Sequence, residues 1–177
     1  MNKIFLITIA LSLTAVGCAN KTIPITTAPP AIRDLKNTTY LIDNEKVTLI
    51  NGQAKITTDK NSVENFQYFG NEALGDFNND GSQDTAFLLT KTTEGTGVFY
   101  YLAAALKTAG SVQGTNGILI GDRIAPQTTE FSNGEIIVNY ADRKPGEPMT
   151  ASPSIGVSRY FKVSGNTLEE VPNPNSK

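Results

Sequence analysis

The chain of 177 residues contains no histidine, no tryptophan and a single cysteine, Cys18. The absence of histidine excludes the Ser-His-Asp and Cys-His catalytic arrangements, as well as zinc sites with histidine ligands. A lone cysteine excludes a disulfide within the chain, so stability must come from packing, hydrogen bonds and any bound metal. For catalysis this leaves a carboxylate pair of glycosidase type, or chemistry by tyrosine and lysine.

Common motifs of serine and phosphate chemistry are missing as well. The sequence has no Ser-x-x-Lys, no Gly-x-Ser-x-Gly elbow and no glycine-rich phosphate loop. A hydrolase with a carboxylate pair remains open, and the candidate acids outside the aspartate-rich segment are Glu72, Asp122, Glu130, Asp142 and Glu147. Because acidic residues on hairpins and loops are usually solvated, the sequence favours a non-enzymatic protein.

The charge balance is weakly acidic, with a formal net charge of −2. Nucleic-acid binding requires a basic footprint, and electrostatic binding to lipid headgroups requires clustered lysine and arginine. Since the chain has neither, we expect no nucleic-acid partner and no polybasic attachment to a membrane.

The N-terminal segment predicts export from the cytoplasm. Met1–Lys3 is a short positive start, and Ile4–Val16 is an apolar run that ends in small residues. That run is too short for a membrane-spanning helix, which needs about 20 apolar residues. Residues 1–17 are therefore predicted to be a signal peptide.

The segment Ala15-Val16-Gly17-Cys18 resembles the lipobox of bacterial lipoproteins. The resemblance implies cleavage before Cys18, a diacylglyceryl thioether on its sulfur and often N-acylation of the new terminus. Two or three acyl chains anchor a protein far better than one. We therefore expect a lipid-anchored protein of the bacterial cell envelope, and Ala19 resembles the signal for sorting to an outer membrane where the host has one. The alternative is an ordinary cleaved signal that contains a cysteine.

The rest of the chain divides simply. Residues 18–33 are predicted to be the lipidated cysteine and a flexible tether rich in Thr, Pro and Ala. Residues 34–171 are long enough for one domain with a core, which we expect to be β-rich. Residues 172–177 are predicted to be a disordered tail.

Turn signals between apolar runs predict a series of β-hairpins. Asn51-Gly52 and Asn133-Gly134 are typical of type I′ turns, and Ser164-Gly165-Asn166 separates two further strands. A strand pair is also expected across Asp43-Asn44-Glu45. The predicted fold is mostly β, an antiparallel sandwich or strongly bent sheet built from hairpins, with at most one or two short helices.

Two apolar runs are expected to form the centre of the core. Residues 85–90 and 98–106 are continuously apolar rather than alternating, which is typical of strands covered on both faces. The alanines of residues 101–107 also have high helix propensity, but the preceding Val, Phe and Tyr residues favour a strand. A short helix is also considered between Ser62 and Ala73.

The segment from Asp76 to Asp84 has the spacing of a calcium loop. It places carboxylates at loop positions 1, 5 and 9, an amide at position 3 and a glycine, Gly81, at position 6. Hard cations take six to eight oxygen ligands, and such a loop can supply several of them from one short segment. The predicted ligands for a structural Ca²⁺ are Asp76, Asn78, Asp80, Ser82 through its backbone carbonyl, and Asp84.

Followed by an apolar strand, this segment resembles the calcium loops of FG-GAP repeats and shares the Asp-x-Asn-x-Asp-Gly spacing of dockerins. A full EF-hand would need Glu at position 12, where the chain has Phe87. The motif occurs once, so it does not imply a propeller. The alternative interpretation is an Asx-rich turn whose side chains bond their own backbone.

Two further segments, residues 121–130 and 140–149, place Asp-Arg pairs beside Pro and Gly. Together with the calcium-type loop they resemble segments of small bacterial envelope lipoproteins of unassigned role. They are interpreted either as a ligand-facing rim or as structural ion pairs that hold long loops.

Three functions remain open on this basis. The first is a membrane-anchored, non-enzymatic envelope domain with a structural calcium loop. The second is a calcium-dependent binding or adhesion module for a glycan or peptide, using exposed rings such as Tyr68 or Tyr160. The third is the histidine-free hydrolase. The expected partners are the membrane and an envelope protein or glycan.

Overall fold

The computed structural model describes residues 34–58 and 62–174. The predicted signal peptide, Cys18, the tether and the last three residues lie outside the described residues. No helix in the described ranges has the length and apolarity needed to cross a membrane. The described residues form a short 3₁₀ helix, Leu35–Asn37, and twelve strands. These are β1 (Thr39–Ile42), β2 (Glu45–Thr48), β3 (Gln53–Thr57), β4 (Val63–Gly75), β5 (Asp84–Thr92), β6 (Val98–Thr108), β7 (Ser111–Gly114), β8 (Ile118–Asp122), β9 (Ala125–Ser132), β10 (Glu135–Asp142), β11 (Ile155–Ser164) and β12 (Thr167–Val171).

The strands form three antiparallel groups, which confirms the predicted fold class. Strands β1 and β2 make a hairpin. A six-stranded sheet has the order β3-β4-β5-β6-β7, with β8 also pairing with β6 beyond the end of β7. A four-stranded sheet has the order β12-β11-β10-β9.

The central strands of the six-stranded sheet, β5 and β6, are covered on both faces over their buried parts. Leu88 and Leu102 belong to a core that includes Phe161 and other residues of the four-stranded sheet. Their neighbours Phe87 and Leu89 point to the opposite face, where the β1–β2 hairpin covers them. The prediction that residues 85–90 and 98–106 form strands buried on both sides is therefore confirmed.

The helix considered between Ser62 and Ala73 is wrong, because this segment belongs to β4. Its side chains alternate around Phe66, which is buried between exposed Asn65 and Gln67. The register with β5 shifts between Tyr68 and Ala73, so β4 carries an irregularity rather than a turn of helix.

The Asn-Gly turns follow the prediction. Asn51 and Gly52 have φ of 52° and 81°, and Asn133 and Gly134 have φ of 53° and 76°. Positive φ at both central residues is the signature of a type I′ turn. The second of these turns joins β9 and β10 as expected, whereas β3 leaves the first turn to pair with β4 rather than with β2.

The Thr115 side chain makes a strand-like pair with Ala104 of β6, and this leaves a backbone carbonyl free to bond β1. The Thr115 N–H donates to the Ala104 carbonyl at 2.9 Å, and the Thr115 hydroxyl accepts from the Ala104 N–H at 3.0 Å. Because the hydroxyl replaces the backbone acceptor, the Thr115 carbonyl is left to accept from the Leu41 N–H at 3.2 Å. β1 thus docks at the break between β7 and β8.

Candidate metal site

The aspartate-rich segment is the loop between β4 and β5, the two strands that pair at Gly75 and Asp84. Phe77 anchors the loop, because its buried ring packs edge-on against Phe131 with 4.9 Å between ring centroids. Gly81 takes a φ of 84°, which is the sharp turn expected at loop position 6. The loop is therefore fixed at both ends and at one apolar side chain.

The exposed half of the loop is organised by its own side chains. The Asp76 carboxylate accepts from the Asp80 N–H at 3.0 Å and from the Gly81 N–H at 2.9 Å. Asn78 Oδ1 also accepts from the Asp80 N–H, at 3.1 Å. Asp80 Oδ1 accepts from the Ser82 N–H at 2.7 Å, and this bond, followed by that from the Asn78 amide, lowers the pKa of Asp80. These are the hydrogen bonds of an Asx-rich turn.

Asp84 has a different environment from the other two carboxylates. It is fully buried, and its two oxygens accept from the Phe77 N–H at 2.9 Å and from the Lys107 N–H at 2.8 Å. Lys107 belongs to β6 just beyond the last residue pair of β5 and β6, so the carboxylate replaces a missing strand partner. Asp84 therefore ties the loop to the neighbouring strand.

The electrostatics of Asp84 combine opposing effects. Burial is the largest effect and raises the pKa of its carboxyl, while the two amide hydrogen bonds lower it. The negative charges of Asp80 and Asp76 raise that pKa further. Among the described residues the five ion pairs involve other carboxylates, so no cationic side chain pairs with these three.

The oxygen atoms of the predicted ligands are of the kind that a hard cation binds, but their positions only partly suit one. Asp76, Asn78, Asp80 and the Ser82 carbonyl share one exposed loop and offer only oxygen, as calcium prefers. However, the described part of the chain holds no group of three or more His, Cys, Asp or Glu side chains arranged for a metal ion. Each Asp84 oxygen bonds an amide, although a carboxylate oxygen keeps a second acceptor position. Calcium would need waters, or a small movement of the exposed half toward Asp84.

The two Asp-Arg segments lie next to each other and are structural in their contacts. Arg123 forms an ion pair with Asp122 at 2.9 Å, as the ion-pair interpretation expected. Burial raises the pKa of Asp122, but the bonds from Arg123 and the Val98 N–H outweigh it and lower the pKa overall. Arg143 does not use Asp142 as its main partner, because its guanidinium donates to the carbonyls of Ala151 at 2.7 Å and Arg123 at 3.0 Å.

The other candidate acids are also engaged locally. Glu72 accepts from the Tyr68 hydroxyl, Glu130 accepts from Thr128 at 2.7 Å, and Glu147 accepts from the Lys144 N–H at 3.0 Å. These contacts are between near neighbours in sequence. They give the carboxylates structural partners within hairpins and turns.

A charged cluster under the β1–β2 hairpin was not found from the sequence. Lys91 Nζ lies 3.0 Å from both Asp43 and Glu64, and the Tyr101 hydroxyl donates to Asp43 at 2.7 Å. Burial alone would lower the pKa of Lys91, but its bonds to Glu64 and Asp43 raise it overall. Pairing of β4 with β5 brings Glu64 near Lys91, and packing of the hairpin on this sheet adds Asp43, so the sequence contains no local signal for the cluster.

Comparison of the chain with family models, with curated proteins and with solved structures found no match.

Proposed function

We propose that this protein is a non-enzymatic domain anchored to the bacterial cell envelope by lipid on Cys18, in which calcium stabilises the β4–β5 loop. The observation that supports the calcium role is the accumulation of charge in this loop. Asp76 and Asp80 lie close enough to raise the pKa of buried Asp84, and no lysine or arginine in the described ranges pairs with them.

In this proposal the cation acts on the fold rather than on a substrate. Asp84 already joins the loop to β6, and β5 begins at this residue in the middle of the six-stranded sheet. A divalent cation offsets the repulsion among the three carboxylates and orders the exposed half of the loop. Extracellular modules of this kind bind calcium with a Kd of about 10⁻⁴ to 10⁻³ M. At 100 times the Kd, binding stabilises the folded state by about 2.7 kcal/mol.

The anchoring part of the proposal is supported by the N-terminal sequence. The apolar run, the lipobox-like Ala15-Val16-Gly17-Cys18 and the tether follow one another in the order that an exported lipoprotein requires. Ala19 favours the outer membrane where the host has two membranes. Radiolabelled fatty acid should enter the wild-type protein and not a Cys18→Ala variant, whereas equal labelling of both would overturn the anchor.

A calcium-dependent adhesion module remains the second candidate, but its predicted rings are placed unfavourably. Tyr68 is half-buried against Phe87, with 5.4 Å between ring centroids, and its hydroxyl bonds Glu72. Tyr160 lies on β11 of the other sheet, half-buried. The exposed aromatic side chain of β4 is instead Phe69.

The histidine-free hydrolase is the third candidate function.

Melting temperatures with millimolar calcium and with EDTA test the calcium role, using residues 19–177. The informative variant is Asp76→Asn/Asp80→Asn, because asparagine removes both charges and keeps one of the two acceptor oxygens at each position. The amide NH2 replaces the other acceptor, so the calcium response of each protein is compared rather than the melting temperatures themselves. Wild type should melt higher with calcium, and the variant should not respond. Glu45→Gln/Glu169→Gln is a matched control at exposed positions and should respond like wild type. Identical wild-type melting temperatures in calcium and in EDTA would contradict the metal site and leave the Asx-rich turn as the interpretation of the loop.

A further inference from the structure

Part of one face of the six-stranded sheet is exposed or half-buried and carries mainly amides and hydroxyls. Strand pairing places Gln53 opposite Gln67 and Gln67 opposite Thr90 in one row. The second row runs from Lys55 through Asn65 to Thr92. Directly opposed residues project from the same side of a sheet, so these six residues form one surface, which we call the amide face. They line a shallow groove of about 380 Å³.

The amide face continues the side of the sheet that is buried elsewhere by the four-stranded sheet. Leu88 on β5 packs into that core, and Thr90 and Thr92 follow at alternate positions along the same strand. The four-stranded sheet therefore covers only part of this side. β4 and β5 are interior strands whose backbone groups pair with their neighbours, so a ligand here must be recognised by side chains.

The amide face is mostly uncharged, and most of its side chains can both donate and accept hydrogen bonds. The side-chain amides of Gln53, Asn65 and Gln67 are exposed, and none of them is hydrogen-bonded within the ranges 34–58 and 62–174. The face includes no carboxylate and a single cation, Lys55. Amides and hydroxyls both donate and accept, whereas a carboxylate only accepts and an ammonium only donates. Sugar hydroxyl groups have the same dual character.

An aromatic platform borders the amide face. The row from Gln53 to Thr90 extends across β6 to Tyr100, and Phe69 packs edge-on against Tyr100 with 5.3 Å between ring centroids. The Phe69 side chain remains 47% exposed. With strands about 4.8 Å apart, the four-strand row is about 14 Å long. An apolar ring next to a line of free amides suits the apolar faces and the hydroxyl edges of sugar rings.

A larger cleft is a weaker candidate, because most of its polar side chains are already hydrogen-bonded and, within the described part of the chain, only the Gln113 amide is free. This cleft, of about 740 Å³, lies between the β1–β2 hairpin and β7. There the Thr39 hydroxyl bonds Thr48 at 2.8 Å, Asn37 accepts from the Asn51 N–H at 2.9 Å, and the Ser111 hydroxyl bonds Thr108 at 2.6 Å. On the amide face the Thr90 hydroxyl donates to the Gln67 backbone carbonyl at 3.2 Å, and the other five side chains are free among the described residues, so this face has more free polar groups than the larger cleft.

We propose that the amide face binds a neutral oligosaccharide, with Gln53, Asn65 and Gln67 bonding its hydroxyl groups and Phe69 packing against a sugar ring. This site is separate from the β4–β5 loop, so binding does not require calcium. On β4 and β5 the occupant meets side chains rather than unpaired backbone, so we expect a glycan rather than an extended peptide, which would have to pair with the edge of β3.

The test uses the full-length chain in detergent and an array of neutral glycans, anionic glycans and peptides, read in EDTA and again in millimolar calcium. At least one group of neutral glycans should bind. Gln67→Ala and Phe69→Ala should each weaken that binding about fivefold to tenfold, as expected for the loss of one hydrogen bond or one ring contact. Two controls should leave binding unchanged, namely Gln113→Ala in the larger cleft and Leu74→Ala at another exposed apolar position of β4.

Several results would overturn the proposal. One is an array in which no neutral glycan binds, or in which only anionic glycans or peptides bind. Another is glycan binding that is abolished by Gln113→Ala and unchanged by Gln67→Ala. Melting curves of each variant show whether a loss of binding comes from unfolding. If Phe69→Ala unfolds the protein, Gln67→Ala still tests the contact itself, because Gln67 is exposed and its removal should leave the fold intact. Binding lost in EDTA but present in calcium would place the ligand at the loop and favour the adhesion module instead.

Discussion

The side chain of Asn116 pairs with the backbone of Leu168 in both directions. Its Nδ2 donates to the Leu168 carbonyl at 3.0 Å, and its Oδ1 accepts from the Leu168 N–H at 2.7 Å. Asn116 lies at the break between β7 and β8, and Leu168 belongs to β12. One side chain thus acts as a strand partner and joins the six-stranded layer to the edge of the four-stranded sheet.

Replacing Asn116 by alanine should reduce the free energy of unfolding by about 2 to 3 kcal/mol. The change removes two hydrogen bonds and leaves a partly buried backbone N–H and carbonyl of Leu168 without partners. Urea denaturation measures the loss. Asn65→Ala is the matched control, because that amide is exposed and should change stability by less than about 0.5 kcal/mol. Equal effects of the two substitutions would show that the Asn116 pairing does not stabilise the fold.

A second prediction concerns the contact between β4 and β9. A Cβ on Gly75 would lie 2.2 Å from the Phe131 ring, which itself packs on Phe77 at the base of the aspartate-rich loop. Gly75→Ala should therefore cost about 1 to 3 kcal/mol through overpacking. At Gly156 the same substitution meets nothing within 4 Å and should be close to neutral. Thermal melts of the two variants decide the matter, and a neutral Gly75→Ala would mean that Phe131 can move aside freely.

The strand pattern was predictable, because it depends on local signals. Asn-Gly pairs set the positive φ of two turns, and continuous apolar runs marked β5 and β6 as covered on both faces. The β4 segment was harder, because the register shift between Tyr68 and Ala73 breaks its alternation. Contacts distant in sequence, such as Asn116 with Leu168 or Lys91 with Asp43, have no local signature. They arise only when the hairpin and the two sheets pack against one another.

The loop shows the same division between local and distant information. Its spacing predicted the glycine turn at Gly81. The alternative interpretation, an Asx-rich turn, expected side chains to bond their own backbone, as Asp76 does with the Asp80 N–H. The spacing did not predict that Asp84 would accept from the Lys107 N–H of β6, because that bond depends on where the β5–β6 pairing ends. The amide face likewise requires the register of three strands before Gln53, Gln67 and Thr90 form a row.

A third prediction concerns the pair of Arg159 and Glu170, which joins β11 and β12 through two bonds of 2.7 and 2.6 Å. The bond from Arg159 lowers the pKa of Glu170 in the folded state. The pair therefore contributes its full stabilisation at pH values above the ordinary glutamate pKa of 4.5. This stabilisation is lost as the pH falls through the lower pKa that Glu170 has in the folded state. Since the Glu170 side chain is 45% exposed, Glu170→Gln should cost only about 0.5 to 1 kcal/mol at pH 7.

Denaturant curves at pH 7 and pH 3 check this sign. The difference between wild type and Glu170→Gln should shrink toward acid pH. A difference that stays constant would indicate that glutamine loses packing or hydrogen bonds rather than charge. Glu169→Gln, on an exposed neighbour of the same strand, should show little effect at either pH.

The last prediction concerns Asp84, whose pH dependence should have the opposite sign. Burial raises the pKa of Asp84 above its ordinary value of 3.8, so the folded state takes up the proton more readily than the unfolded chain. Its contribution to stability therefore increases as pH falls through the folded pKa toward 3.8 and is lost as pH rises again. Asp84→Asn removes this dependence. It also turns an amide donor toward one of the two N–H groups of Phe77 and Lys107, which should cost about 1 to 3 kcal/mol at pH 7.

Unfolding free energies of wild type and Asp84→Asn, measured in EDTA between pH 7 and pH 3, test both parts. The difference between the two proteins should widen toward acid pH, while that of Glu170→Gln narrows over the same range. Calcium at pH 7 should stabilise wild type and not Asp84→Asn if Asp84 is a ligand, because the variant lacks the third carboxylate of the loop. A calcium response that persists in Asp84→Asn would assign the cation to Asp76, Asn78 and Asp80 alone and leave Asp84 as a purely structural link to β6.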